Sequence, residues 1–441
     1  MPVLLTLALI VFLQLTCLGI NFSTLAGYND TLGGTAETLG LLWFALSGPR
    51  AVSAPFWGMV SDRWGRKPVM VIGTLAMMAG SVLWAAAGSV TLLIASRLVD
   101  SVLSGQSGVA QAIVADATPL EKRAAGMGAI GAAVSLAFTI GPLTGGLLGP
   151  GIGYAQLGWI MFALQGAALL LILLALPETL PEPLRQSRSA TPRRDLFNRE
   201  TWSGLFSNRQ AVWVLALSIV LTVGYTHFMS AYPLAIETWF GLGEADATKT
   251  LGYAFAVVGL ASAIAQGGLL RPLIPRLGEK RLILAGVIIM AAGMGGIAFL
   301  TANLTQSYIA IAIMSLGAGL ALPTLTALLS QLVRNEDQGT IMGISQSAQT
   351  LGRGLGPWMA TSLFAAFGAV VPFLSAVVLI LLSGLMMLGL RLRRVEANWR
   401  TPPETVAQSA PGGRPLVPLS PMALHEGEAE RERAAASSSP K

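Results

Sequence analysis

Apolar runs of about twenty residues recur almost from end to end of this chain, and polar residues fall largely in the short breaks between them. Each run is long enough to cross a hydrocarbon layer about 30 Å thick as a helix. Inside lipid the backbone must satisfy its own hydrogen bonds, which leaves helices or closed barrels, and runs of this length are helices. Of the 441 residues, 53% are hydrophobic and only 11% charged, against about a quarter charged in soluble domains. The expected fold class is therefore an all-α integral membrane protein with twelve transmembrane helices.

The expected spans are 3–27, 38–60, 69–88, 91–114, 125–149, 156–176, 210–236, 250–271, 282–301, 307–331, 340–367 and 371–391. The first could be a signal peptide, but it lacks a basic n-region and a clear small-residue cleavage site, so it reads as the first span. The net charge of +6 does not point to nucleic acid, because the basic residues sit in short loops and not on a water-facing domain. One set of loops holds Arg63, Arg66, Lys67, Lys122, Arg123, Arg276, Lys280, Arg281 and Arg334. The opposite set holds Asp30, Glu37, Glu237, Glu244 and Asp246, with Lys249 as its one basic residue. An excess of Lys and Arg marks the cytoplasmic side, so both termini are expected there, in a plasma (inner) membrane. The lone Cys17 excludes an internal disulfide and a multi-cysteine metal site.

A Pro-, Arg- and Ser-rich stretch at 177–209 divides the chain into six-span blocks at 1–176 and 210–391, and reads as a cytoplasmic linker. The tail at 392–441 reads as disordered. The blocks echo each other at intervals of 213–215 residues: Gly65 with Gly278, EKRAAGMG at 121–128 with EDQGTIMG at 336–343, and Gly141-Pro142 with Gly356-Pro357. Parallel repeats of this kind build a transporter site near the midplane, between two rocking halves.

Two motifs carry the mechanism. GMVSDRWGRK, Gly58 to Lys67, lies between the second and third spans. Gly58 permits close helix approach and Gly65 a tight turn, while Asp62 can cap the positive N-terminal end of a helix. GPLTGGLLG, in the fifth span, combines Pro142 with Gly141, Gly145, Gly146 and Gly149, a kink set among packing residues. The first motif matches the G-x-x-x-D-R-x-G-R-K signature of the major facilitator superfamily. The second resembles the G-P-x-x-G-G-x-x-G pattern of its antiporters, and IVADATPLEKRAAGMG and LPETLP resemble the tetracycline-resistance type of drug:proton antiporter. Over residues 3–391 the resemblance implies the major facilitator fold, two six-helix parallel pseudo-repeats. It also implies a gate in which Asp62, Arg63, Arg66 and Lys67 join the second and eleventh spans and one arginine reaches Asp116, and a leak-tight antiporter seam in the fifth span.

Polar residues within spans are functional candidates because burying them is costly. On the fourth span Arg97, Asp100, Ser104, Ser107 and Gln111 fall at i, i+3, i+7, i+10 and i+14, which draws one polar stripe down one face. The resemblance assigns Arg97 a part in proton transfer, and Asp100, one turn on, can pair with it. His227 is the rival proton carrier, or a hydrogen-bonded structural group. Arg50 and His227 read as isolated. Gln346, Gln349 and Arg353 form a second stripe, with Arg353 either a helix lock or a ligand contact. Gln14 stands where related exporters often carry an aspartate. Together with Asn21, Arg50, Gln111 and the second stripe it forms the expected substrate cavity, suited to a neutral or anionic compound.

The expected function is proton-coupled export of small amphipathic drugs or metabolites by alternating access. The alternatives are an uncoupled metabolite or anion facilitator, and a transporter-like sensor that moves nothing. The absence of G-x-S-x-G, HExxH and P-loop motifs argues against an enzyme and against ATP-driven transport by this chain. No cofactor or metal is expected. The expected partners are a small-molecule substrate, protons and the lipid bilayer, with the chain acting as a monomer.

Overall fold

A computed structural model describes residues 2–103, 106–118, 120–180, 209–299, 303–332 and 338–390. Most of the expected linker, from 181, and the expected tail lie outside these residues, as do Ser104 and the side chain of Ser107.

The described elements are all helical, and no strand occurs among the described residues. The first half contains α1 (Pro2–Thr31), α2 (Ala36–Trp64), α3 (Arg66–Ala85), α4 (Val90–Val102), α5 (Gln106–Ala117), α6 (Leu120–Ile152) and α7 (Tyr154–Ala175). The second contains α8 (Arg209–Phe240), α9 (Glu244–Ile264), a π-helical turn at Ala265–Leu269, α10 (Leu270–Phe299), α11 (Leu304–Gln331), α12 (Gln338–Phe367) and α13 (Val371–Gly389). Eight stretches are long and apolar enough to cross a membrane, and one of them, Glu244–Phe299, covers two spans. With α2, α12 and the paired α4 and α5, the described residues make twelve crossings.

Two spans differ from the sequence reading. The fourth is not continuous: α4 ends at Val102 and α5 begins at Gln106. The carbonyls exposed by this break find donors on α2, with Ser53 Oγ donating to Ser101 O at 3.4 Å and Trp57 Nε1 to Val102 O at 2.9 Å. Buried helix-end carbonyls need such partners, so the neighbouring helix makes the interruption tolerable. The eighth span runs on through the π turn into α10 and breaks only at Gly278, where φ is 73° and ψ 160°.

The halves repeat in backbone detail. Gly65 (φ 105°) and Gly278 (φ 73°) turn the chain at matching positions in a region that side chains avoid. Ser89 and Asn303 both cap the following helix through their side-chain oxygens. Lys67 Nζ donates to Leu173 O, and Lys280 Nζ to Leu388 O and Leu390 O, so each half places a lysine at the C-terminal carbonyls of its last helix.

The end carrying Arg63, Arg66, Lys67 and Lys280 is called here the basic end, and the end carrying Asp30, Glu237 and Glu244 the acidic end. Between halves, α2 packs along α12 and α6 along α9. Toward the acidic end these helices meet closely. A methyl group on Gly146 would lie 2.7 Å from Cα of Gly252. The Tyr154 and Thr248 hydroxyls hydrogen-bond at 2.8 Å, and the rings of Phe22 and Phe255 lie 5.7 Å apart. Toward the basic end, Gly58, Gly131, Gly267 and Gly343 have open space where a side chain would stand, and Gln111, Gln346 and Arg353 are exposed. The halves thus meet closely between α6 and α9 toward the acidic end, whereas these residues toward the basic end face open space.

Candidate functional site

The site begins with a fault in α2. Pro49 supplies no N–H to the helix ladder, and one residue on, the Ser101 hydroxyl enters it. Arg50 N–H donates to Ser101 Oγ at 3.0 Å, and Ser101 Oγ donates to Leu46 O at 3.0 Å. A hydroxyl thus bridges the Arg50 donor and the Leu46 acceptor that would otherwise meet within the helix, a recognised cause of helix bending. The insertion sets Arg50 against α4, where Arg50 Nη2 lies 3.7 Å from Asp100 Oδ1. Arg50 is therefore not isolated, as its sequence surroundings suggested; its partner is on another helix.

Asp100 also faces Arg97, with Nη1 to Oδ2 at 3.6 Å. Arg97 is 2% exposed and is held by more than this carboxylate. Its Nη1 donates to Asn21 Oδ1 at 2.9 Å and its Nε to Ser96 Oγ at 3.1 Å. Its guanidinium stands 4.7 Å from the Trp84 ring centroid, a cation–π contact. A buried charge with this many partners is compensated.

These groups line a recess of about 110 Å³ inside the first half. Gln14, Asn21, Arg50 and Gln111 of the expected substrate cavity reach it, together with Arg97 and Asp100, which the sequence reading set apart as coupling candidates. Gln14 Nε2 donates to Thr74 Oγ1 at 2.9 Å. Polar lining residues that were missed include Ser81 on α3, Gln106 at the start of α5 and Gln165 on α7. Gln165 could have been found as a lone amide in the middle of an apolar helix. The second stripe does not join the recess lining. Gln349 Nε2 donates to Ser345 Oγ at 3.2 Å within α12, Gln346 is exposed, and Arg353, also exposed, lies within electrostatic range of Arg50 and Tyr225. His227 is fully buried in α8, with Nδ1 2.7 Å from Val223 O, and does not line the recess.

At the basic end the first motif forms a compact charge cluster. Arg66 pairs with Asp62 (Nη1 to Oδ1, 2.8 Å) and with Asp116 (Nε to Oδ2, 3.0 Å), so Arg66 is the arginine that reaches the fourth span. The carboxylate found on the first amides of α3 is that of Glu178, which the sequence reading did not select. Glu178 accepts from Arg66 N at 2.9 Å and Lys67 N at 3.1 Å, where the helix dipole favours an anion. The turn at Gly65 brings those amides to it. Gly58 faces open space in this conformation. In the fifth-span motif, Gly141 packs on Gly19 and Gly145 on Ile20 and Ser23 of α1. Gly146 meets α9 of the other half, and Gly149 meets Tyr154 of α7.

The family model of the Major Facilitator Superfamily matches residues 7–303 and 223–427. The chain belongs to the major facilitator superfamily. Its relatives include the Major facilitator superfamily domain-containing protein 10 of Mus musculus, 28% identical over 379 residues that cover 82% of this chain and 80% of that protein. The class C tetracycline resistance protein of Escherichia coli is 30% identical over 317 residues, 71% of this chain and 76% of that protein. Among solved structures, the human organic anion transporter MFSD10 superposes with a TM-score of 0.65 at 24% identity, covering 88% of this chain and 99% of that one. As a major facilitator, the chain is an integral membrane transporter, and its polar recess lies among the helices of the first six-span repeat.

Proposed function

We propose that this transporter exports small amphipathic organic compounds, neutral or anionic, by proton-coupled alternating access. It works as a monomer in the plasma (inner) membrane, with its basic end and both termini in the cytoplasm. On that orientation the conformation described above is the inward-open one, ready to load from the cytoplasm.

The observation that carries the substrate class is the charge around the recess. Arg50 and Arg97 line it and Arg353 stands within electrostatic range of Arg50, against Asp100 alone. Low-dielectric walls strengthen such a positive potential. Relatives named for tetracycline resistance and multidrug resistance support export of foreign compounds, and the fold neighbour described as an organic anion transporter supports the sign of the charge. For coupling, Asp100 is the carboxylate of the recess. A proton carrier must change its surroundings between states, and Asp100 is tied to two helices, so relative motion of α2 and α4 would alter its partners.

The test is transport by proteoliposomes under an imposed pH gradient, with a panel of anionic, neutral and cationic compounds and simultaneous reading of solute and proton flux. Uphill solute movement with proton counterflow is expected. Exchange without proton movement would make the chain an uncoupled facilitator, and no flux across the panel would make it a sensor with a transporter fold.

A further inference from the structure

Gln165 on α7 and Asp100 on α4 line the same recess, and each carries a buried oxygen without a hydrogen-bond partner, Oε1 and Oδ1 respectively. Arg50 Nε, on the same recess, is a buried donor in the same condition. Gln165 is 1% exposed and, apart from Tyr154 and Gln156 in the first turn, is the only amide, hydroxyl or charged side chain of α7. A leucine or methionine would fill its place without the cost of dehydrating an amide. Buried polar atoms in folded proteins nearly always have partners. The bare Gln165 Oε1 and Arg50 Nε, with Asp100 Oδ1 that has Arg50 Nη2 at 3.7 Å but accepts no hydrogen bond, leave this space complementary to something that enters it.

We infer that the recess takes a two-ended head group. An anionic or strongly accepting group meets Arg50, and a hydrogen-bond donor, a hydroxyl or an amide N–H, meets Gln165 Oε1 and Asp100 Oδ1. The substrate class narrows from organic anions to hydroxylated or amide-bearing organic acids, with Gln165 a specificity-determining residue. This rests on the reading that substrate enters the recess. Discrimination follows from dehydration: an ether in place of the hydroxyl removes the donor and leaves the Gln165 oxygen buried and bare.

The experiment uses the full-length protein in nanodiscs and four probes, 4-hydroxybenzoate, 4-methoxybenzoate, phenol and anisole, with binding measured by calorimetry. Wild type is expected to prefer the hydroxyl compound in each pair by about tenfold. Gln165→Leu is expected to erase that preference while keeping the preference for benzoates over the neutral compounds. Arg50→Gln is expected to do the reverse. Gln165→Met, closer in shape, carries the same expectation should the leucine variant fold poorly. A hydroxyl preference that survives in the Gln165 variants, a wild-type preference for the ethers, or no binding by any probe overturns the inference. Tighter binding of phenol than of 4-hydroxybenzoate, with the hydroxyl preference still lost in Gln165→Leu, overturns the anion reading and leaves the Gln165 assignment standing.

Discussion

Arg50 on α2 and Asp100 on α4 approach to 3.7 Å, beside the point where Ser101 bridges the α2 backbone. The charge contact and the backbone insertion share two neighbouring residues of α4, so the orientation of the arginine and the bend of its helix are set together. Three tests bear on this corner of the site.

Replacing Arg50 with Gln removes one of the three embedded guanidiniums. Binding of anionic compounds is expected to weaken by about tenfold, and binding of cationic ones to change less or improve, as expected for a site of positive potential. Competition binding with matched anionic and cationic dyes checks this. Cations as the tightest ligands of the wild type would contradict the electrostatic reading.

Asp100→Asn keeps the shape of the side chain and removes its charge. Uphill, pH-driven transport is expected to disappear while downhill flux or exchange persists. His227→Gln is expected to be milder, since His227 lies away from the recess with its Nδ1 at Val223 O. Accumulation against a gradient by the Asp100 variant, measured in proteoliposomes, would remove this residue from the coupling role.

Ser101→Ala leaves the Arg50 N–H and the Leu46 carbonyl without their bridge. A loss of about 1–3 kcal/mol is expected for unsatisfied buried groups, read as a lower melting temperature in detergent. Unchanged stability would mean that α2 closes its own ladder when the hydroxyl is absent.

At the basic end, Asp62→Asn is expected to cripple transport with expression largely intact, because it alters the charge cluster around Arg66 without adding bulk. Glu178→Ala is expected to act differently. It strips a carboxylate from the first amides of α3, at a cost of about 1 kcal/mol by analogy with other N-terminal caps, so stability falls with turnover. Comparing melting temperature and transport rate for the two variants separates gating from capping. Normal turnover in Asp62→Asn would refute the gate role.

Much of this architecture was legible because hydropathy and repetition are local signals. Twenty-residue apolar runs gave the spans, and the 213-residue interval from Gly65 to Gly278 returned as two matching turns. Arg97 with Asp100, one turn apart on the same helix, was legible for the same reason. The misses share a different cause. The break after Val102 depends on donors from Ser53 and Trp57 of another helix, so nothing within the fourth span announces it. Arg50 looked isolated because its partner lies fifty residues away in sequence. Glu178 follows the sixth span, yet its amide partners open the third. Of the stripe that includes Ser104 and Ser107, which lie outside the described residues, Arg97, Asp100 and Gln111 line the recess.

Gly252→Leu is expected to hold the acidic end apart, since even a methyl group there would lie 3.0 Å from Cα of Gly146. Distance measurements by spin-label spectroscopy across α6 and α9 are expected to show the two helices farther apart toward the acidic end, with transport reduced by more than tenfold; an unchanged distance would show that α9 can slide to make room.

That contact between Gly146 and Gly252 separates two kinds of inheritance. Close approach there depends on the absence of side chains, whereas, on the proposed function, the choice of cargo depends on side chains of the recess. On the proposed function, Gln14 and Gln165 can be exchanged to alter what is carried without touching the contact by which the halves shut. A change at either glycine is felt whatever is carried.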